Sequence, residues 1–423
     1  MELPPPPPSS STPQQWAMLR RVPQPSLIDL SQEDFSLALA APPDLTRLSI
    51  SNIITDYGDA FSLRSFPFVL ATDPSGLLLI TDSYGLAKDP LGADRPIYFV
   101  WDASLVHTHR IRGHQESVNH SGNVGFIVTP SGRRDHDLTV VELLPVSAGE
   151  TITILCYESK SRIWTKKTLQ SSMPRYPWSS ANVISHKNKL WWVDLRHGIL
   201  SFDPLADNPQ VLFVEFPATR TRLMRGDISK YRCVNLSAGN LRFVEMTGSV
   251  LVPRVAVWTL YPQAEHKLSR WKLDYNVNLK EIWVDMSYKE TGMPNKRPVL
   301  AGLHPADPAV VYFLSKGKLF EVNLNIKKVD KCMAFQPRSA DLTQLNIDEE
   351  SSRFLTWDLP PSLTSSSQQR HGKEPSSRTN GEESPTAAAL RMLRLFTNAY
   401  TSAFGKLEYD ELARIAIVHL NEK

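Results

Sequence analysis

The chain has 423 residues and a mass of 47.6 kDa, room for two average domains or one large repetitive one. Lys and Arg number 47 against 44 Asp and Glu, a formal net charge of +3, which argues against a surface built to coat nucleic acid or membrane. Hydrophobic residues at 41% allow a sizeable core, while 19 glycines and 32 prolines exclude collagen, glycine-rich linker arrays and coiled coil.

The N-terminal segment is the first distinct stretch. Residues 1–43 hold ten of the prolines, so the proline excess belongs to this end and the rest of the chain is ordinary. Pro4–Pro8 predicts an extended polyproline II run with no internal hydrogen bonds, and residues 1–43 read as a Pro-rich tail. Its functional reading is docking on an SH3-like or WW-like groove; its plainer reading is a solvated tail. It lacks the positive and apolar regions of a signal peptide, and no stretch approaches 18 apolar residues, so no transmembrane helix is expected. The expected location is cytoplasm or nucleus, with organelle targeting left open by the Ser-rich context of Arg20 and Arg21. Cys156, Cys233 and Cys332 are odd in number and far apart, which fits a reducing compartment and small buried apolar roles.

From 44 to 358, short apolar runs rich in β-branched and aromatic residues alternate with turn chemistry. Predicted strands are Leu77–Thr81, Ile97–Trp101, Val124–Thr129, Leu138–Leu144, Ile152–Tyr157, Ile163–Leu169, Val183–Ser185 and Leu190–Asp194. They continue with Ile199–Asp203, Val211–Phe216, Tyr231–Leu236, Leu241–Met246, Val255–Leu260, Leu268–Tyr275, Val310–Leu314 and Lys318–Leu324. Hairpin-length gaps fall at 158–161, 196–198, 237–240 and 315–317.

Polar clusters interrupt this pattern. His107, His109, His114 and His120 carry the His-x-His spacing of a zinc or iron site, but with Gly113, Asn119 and Gly122 nearby the stretch reads as an exposed loop with solvated histidines. Asp135-His136-Asp137 places a base between two carboxylates; neighbours on a strand point to opposite faces, so a turn is the better reading. Trp191-Trp192 could stack on a sugar or a cation, yet one indole must face away from the other, and core packing between sheets is favoured. Asp194 reads as a turn cap. Arg220, Arg222 and Arg225 form the densest basic stretch, suited to phosphate or an acidic peptide, or to a solvated loop. Without interleaved aromatics a nucleic acid is a poor fit. No G-x-S-x-G, P-loop, G-x-G-x-x-G or His-Glu-x-x-His motif occurs, so no catalytic residue and no cofactor is assigned.

Beyond 358 the character changes again. Residues 359–386 are Ser-rich and charged and read as a disordered linker; 387–423 is a helical segment. Within it, Leu390, Leu393, Phe396, Tyr400 and Phe404 repeat every three or four residues up to Gly405, an apolar stripe that must cover the body or a partner.

Repeated antiparallel meanders at this density predict an all-β architecture. Trp101, Trp192 and Trp283 recur every 91 residues, each followed by an acid (Asp102, Asp194, Asp285), and half that spacing is close to one propeller blade. The preferred fold is a degenerate β-propeller-like body with a C-terminal amphipathic helix; paired β-sandwiches are the alternative.

The run from Leu190 to Pro209, on to Val214-Glu-Phe-Pro217, resembles the plant family Domain of Unknown Function 1618, expanded in grasses. Trp271–Tyr275, Ile282–Asp285, Leu303–Pro308 and Val311–Phe313 are similar to it too, so the resemblance covers about 180–330. It implies a plant origin and a β-rich scaffold, and no activity to carry over. The phrases Val257–Leu260 and Trp271–Leu273 also resemble propeller-like domains that follow F-box motifs, though no F-box-like segment precedes them. The leading expectation is therefore a non-catalytic scaffold for unknown protein partners. The rivals are a metal-assisted hydrolase or lactonase-like propeller, and an adaptor for a ubiquitin ligase.

Overall fold

The computed structural model describes residues 15–25, 34–51, 66–84, 96–117, 122–130, 136–145, 151–171, 177–217, 227–249, 252–261, 270–334 and 354–364. The chain divides into two units, Met1–Gln368 and Gln369–Lys423, and every described residue lies in the first. Most of the 359–386 linker and all of the 387–423 helical segment lie outside the described residues.

The strands pair into six sheets, and each successive four build one blade. Blade 1 is β5 (Phe66–Thr72), β6 (Leu77–Tyr84), β7 (Ile97–Asp102) and β8 (His107–Arg112). Blade 2 is β9 (Val124–Pro130), β10 (His136–Leu143), β11 (Thr151–Glu158) and β12 (Ile163–Gln170). Blade 3 is β13 (Asn182–His186), β14 (Lys189–Asp194), β15 (Gly198–Phe202) and β16 (Val211–Glu215). Blade 4 is β17 (Arg232–Ser237), β18 (Asn240–Ser249), β19 (Val252–Tyr261) and β20 (Arg270–Asn278). Two short helices, α1 (Leu279–Trp283) and α2 (Met286–Glu290), lead from it to blade 5: β21 (Val299–Leu303), β22 (Val310–Ser315), β23 (Lys318–Asn323) and β24 (Lys328–Ala334).

The sixth sheet joins the two ends of this unit. β25 (Phe354–Asp358) pairs antiparallel with β1 (Trp16–Arg20), which lies parallel to β4 (Leu45–Ile50); β4 also holds β3 (Phe35–Ala38) and the short β2 (Gln24–Pro25). The proline-rich reading of 1–43 is thus corrected in part. Ala17, Met18 and Leu19 are fully buried, and Trp16–Arg20 is a working strand. The sequence hides this because its partner, Trp16 against Asp358, is more than three hundred residues away. Likewise Leu359 and Leu363, assigned to the linker, pack against the core between blades 6 and 1.

Burial on both faces of every sheet explains the apolar runs. In β6, Leu77 and Leu79 join the core shared with blade 2, while Leu78 and Ile80 join the core shared with blade 6. In β18, Leu241 and Phe243 face blade 3, while Val244 and Met246 face blade 5. In β22, Val311 and Phe313 face blade 4, while Val310, Tyr312 and Leu314 face blade 6. Blades 2 and 3 share a further core around Ile154 and Trp192. Each blade therefore contributes to two inter-blade cores, and the sequence of cores closes on itself: a six-bladed β-propeller. Period-two alternation divides side chains between neighbours, not between core and water.

Indole N–H groups staple the seams. Trp192 Nε1 donates to the Asn123 carbonyl of the preceding connection at 2.9 Å, and Trp271 Nε1 reaches the Glu215 carbonyl of blade 3 at 3.0 Å. Trp164 Nε1 donates to the Arg112 carbonyl of blade 1 at 2.8 Å, and Trp357 Nε1 to the Asp73 carbonyl at 2.9 Å. The 91-residue tryptophan period has no structural counterpart. Trp101 is in the third strand of blade 1, Trp192 in the second of blade 3, and Trp283 in α1. Their acids do share a task, since Asp102, Asp194 and Asp285 all cap backbone N–H groups. The turns behave as their composition demands: Ala238-Gly239 and Lys316-Gly317 have positive φ at both residues, the two-residue hairpin geometry matched to strand twist.

Candidate functional site: the central cavity

The first strand of each blade, with β25 in blade 6, lines the axis of the ring. The inner strands of blades 3 to 6 line a partly open cavity of about 80 Å³. Its polar lining comes from Arg21, just past β1, and from Asn182, Ser229, Arg232, Asn235 and Thr356; Gly302, Leu195, Val234 and Phe354 supply apolar or open wall. None of the described lining residues is acidic.

Arg232 is the organising group. It opens β17 at 7% exposure, and its Nε and Nη2 donate to Glu245 Oε1 at 3.0 and 2.6 Å. Its Nη1 donates to the Leu195 carbonyl at 2.9 Å, tying blade 4 to blade 3, and its guanidinium lies 5.6 Å from the centre of the Phe243 ring. Glu245 is fully buried and is the cross-strand partner of Arg232 in the β17–β18 hairpin. This pair was legible: once the Ala238-Gly239 turn sets the register, Arg232 must face Glu245. The motif search passed over it because it forms no catalytic spacing. Arg21, at 4% exposure, places its guanidinium 5.5 Å from the Phe68 ring centre. Its arrival at the axis depends on β1 lying in blade 6, which no local signal marks.

Asn235 Oδ1 is buried without a hydrogen-bond partner. Across from it, a Cβ built on Gly302 would lie 4.0 Å from this oxygen and 3.7 Å from Phe354 Cε2, so glycine leaves this space open. Cys233, also at the cavity, is no nucleophile: burial pushes its thiol up to about 12, and the same cause pushes Cys156 to about 11.

The sequence candidates do not converge here. Arg220, Arg222 and Arg225 lie outside the described residues. Trp191 is half-buried on β14 and packs toward the core between blades 3 and 4, while Trp192 faces the core between blades 2 and 3, the opposite orientation expected of neighbours on a strand. The Trp191 Nε1 is buried without a partner, as is Trp258 Nε1 on the same core.

The stretch read as a histidine loop is in part a strand, β8, the outermost of blade 1. His107 is exposed there, while His109 Nε2 lies 3.4 Å from Tyr157 Oη of blade 2. Burial, then Arg162 and His107, holds His109 below the usual imidazole range. His114 Nδ1 accepts the Glu116 backbone N–H at 3.1 Å. Asp137, of the Asp-His-Asp stretch, pairs with Lys160 at 2.7 Å. Among the described residues no group of three or more His, Cys, Asp or Glu is placed to hold a metal ion, and no helix among them is long and apolar enough to cross a membrane.

No curated protein sequence matches the chain. Among solved structures it is similar to apo AztD from Citrobacter koseri (11% identity over 65% of this chain and 60% of that one, TM-score 0.29). It is also similar to the Penicillium chrysogenum α-L-arabinanase complexed with arabinobiose (14%, 74% and 83%, TM-score 0.34). A third likeness is the β-propeller domain of Cps50 (Swd1) from Myceliophteria thermophila (8%, 66% and 88%, TM-score 0.31). The chain thus spans 60% of the length of the AztD chain, and no activity is carried over from likenesses this distant. Residues 192–312, from the second strand of blade 3 to the second strand of blade 5, match the model of DUF1618, a protein family of unknown function.

Proposed function

We propose that this propeller is a non-catalytic scaffold that binds protein partners through its rims and connecting loops. The observation that carries the reading is a group of exposed apolar side chains on its surface.

The outside offers apolar anchors. Val284 and Met286, at the junction of α1 and α2, are 66% and 63% exposed, and Ile326, in the β23–β24 turn, is 56% exposed. The Lys327–Glu281 ion pair and the bond from the Val329 N–H to Ser287 Oγ bring that turn against the helices, so the three side chains lie in one region of the surface. Exposed aliphatic groups gathered in this way favour contact with another protein.

The test is affinity purification from native tissue with the full chain and with a Val284→Ser, Met286→Ser, Ile326→Ser variant. The reading expects a reproducible set of partners that the variant depletes. Failure to recover any reproducible partner, or recovery of the same set with both proteins, removes it.

A further inference from the structure

We propose that the open edge of β12, the outer strand of blade 2, takes an extended acidic segment of a partner protein as an added strand. This rests on the scaffold reading for the class of partner and assigns a second, separate contact.

Blades 1 to 5 each end in an outer strand that pairs on one side only among the described residues. The backbone N–H and C=O groups of such an edge are a template for another strand unless the edge is short, bulged or covered. Four of the five are blunted in these ways. β16 pairs over five residues, and the ladders that hold β20 and β24 are broken by register shifts. β24 is also covered, since its Val329 N–H donates to Ser287 Oγ. β8 pairs over six residues, and its Arg112 carbonyl already accepts Trp164 Nε1. β12 pairs with β11 over eight consecutive residues with no shift, the longest regular ladder among these outer strands.

Charge selects the occupant. Ile163–Gln170 contains Lys166 and Lys167 and no acid. Neighbours on a strand point to opposite faces, so the two ammonium groups flank the edge from both sides. Trp164, on the Lys166 side, packs on the core shared with blade 1, and Leu169, on the Lys167 side, on the core shared with blade 3. Lys167 makes no ion pair among the described residues. Lys166 pairs with Glu116 at 2.7 Å, with side chains 47% and 40% exposed, a pairing that water and salt screen and that yields to another carboxylate.

Lysines repel a second basic strand, but carboxylates on an incoming strand turn the same charges into cross-strand ion pairs. Around them Ile163, Thr165 and Thr168 are exposed β-branched side chains, which suit a further strand. The occupant therefore carries two adjacent acids, one toward each face, among strand-forming residues. A second copy of this chain does not fit through the same edge, because it would set lysine against lysine.

The test uses the full-length protein and two synthetic valine–threonine peptides matched to the length of β12. One has two adjacent glutamates at its centre and the other two lysines. Isothermal titration reads affinity, and hydrogen exchange reads the backbone. The proposal expects saturable one-to-one binding of the acidic peptide alone, weakened by salt, with slowed exchange within 163–170 and unchanged rates in β16 and β20. Lys166→Glu with Lys167→Glu, neither of them a buried residue, weakens the acidic peptide by about tenfold or more. If that variant fails to fold, the comparison of the two peptides on the wild type carries the test. No binding of the acidic peptide, equal binding of both, unchanged exchange at 163–170, or full affinity in the folded double variant overturns the proposal. The Val284→Ser, Met286→Ser, Ile326→Ser variant keeps the acidic peptide, so failure of this edge is told apart from failure of the scaffold reading, which is read from recovered partners.

Discussion

Substituting Leu19 by alanine tests whether the N-terminal strand closes the ring. Leu19 is fully buried on β1, facing Val69, Leu78 and Trp357 in the core between blades 6 and 1. The substitution removes three side-chain carbons from this core, about 2.4 kcal/mol at ~0.8 kcal/mol per buried carbon. The cavity left behind adds to that, because neighbours held by two sheets relax only partly, and the total falls at about 2.7–5 kcal/mol. The assay is equilibrium urea unfolding followed by tryptophan fluorescence, comparing Leu19→Ala with the wild type. The substitution lowers the midpoint by that free energy divided by the slope. If residues 1–43 were wholly a solvated tail, Leu19→Ala would stay within ~0.5 kcal/mol of the wild type, as surface changes do. That result would refute ring closure through β1.

Three further predictions follow from the same packing. Glu245→Ala strands the Arg232 guanidinium in the seam between blades 3 and 4 and costs about 3–5 kcal/mol in urea unfolding, whereas Arg232→Met with Glu245→Leu recovers much of the loss. Ala238→Gly relieves a residue held at φ 47° in the β17–β18 turn and raises stability by up to ~1 kcal/mol, measured the same way. His304 Nδ1 accepts the backbone N–H groups of Ala306 and Asp307 at 3.1 and 3.0 Å, and burial first, then Lys331, lowers its pKa against the opposing pull of Asp307. Its contribution is therefore complete above the unfolded value of about 6.5 and is lost as pH falls through the lower folded value. His304→Asn, whose amide oxygen can accept the same bonds, flattens the pH dependence of the urea midpoint between about pH 7 and 5; an unchanged slope contradicts this assignment.

Much of the blade architecture was legible because it is local. Runs such as Ile152–Tyr157 and Leu241–Met246 are strands as predicted, and Ser237-Ala238-Gly239-Asn240 supplies a two-residue turn. The same turn carries the Arg232–Glu245 register, so half of the cavity's charge was readable too. The weak points were elements whose stability comes from elsewhere. β8, with His107 and His109, looked like a loop because it is the outermost strand of its blade and His107, Arg110 and Arg112 on it are exposed. α1 and α2 are five residues each, too short to show a helical period, and take their hold from Ile282, Trp283 and Tyr288 buried between blades 4 and 5.

The sequence by itself determined that the body is all-β, that its strands are apolar on both faces, and where most of its hairpins turn. Those properties follow from side-chain alternation and turn stereochemistry within a few residues. Only the tertiary structure decided the number of blades, the closure of the ring by β1 and β25, and the meeting of Arg21 with Arg232 at its axis. Each depends on segments distant in the chain whose pairing is favoured only when all six inter-blade cores form together.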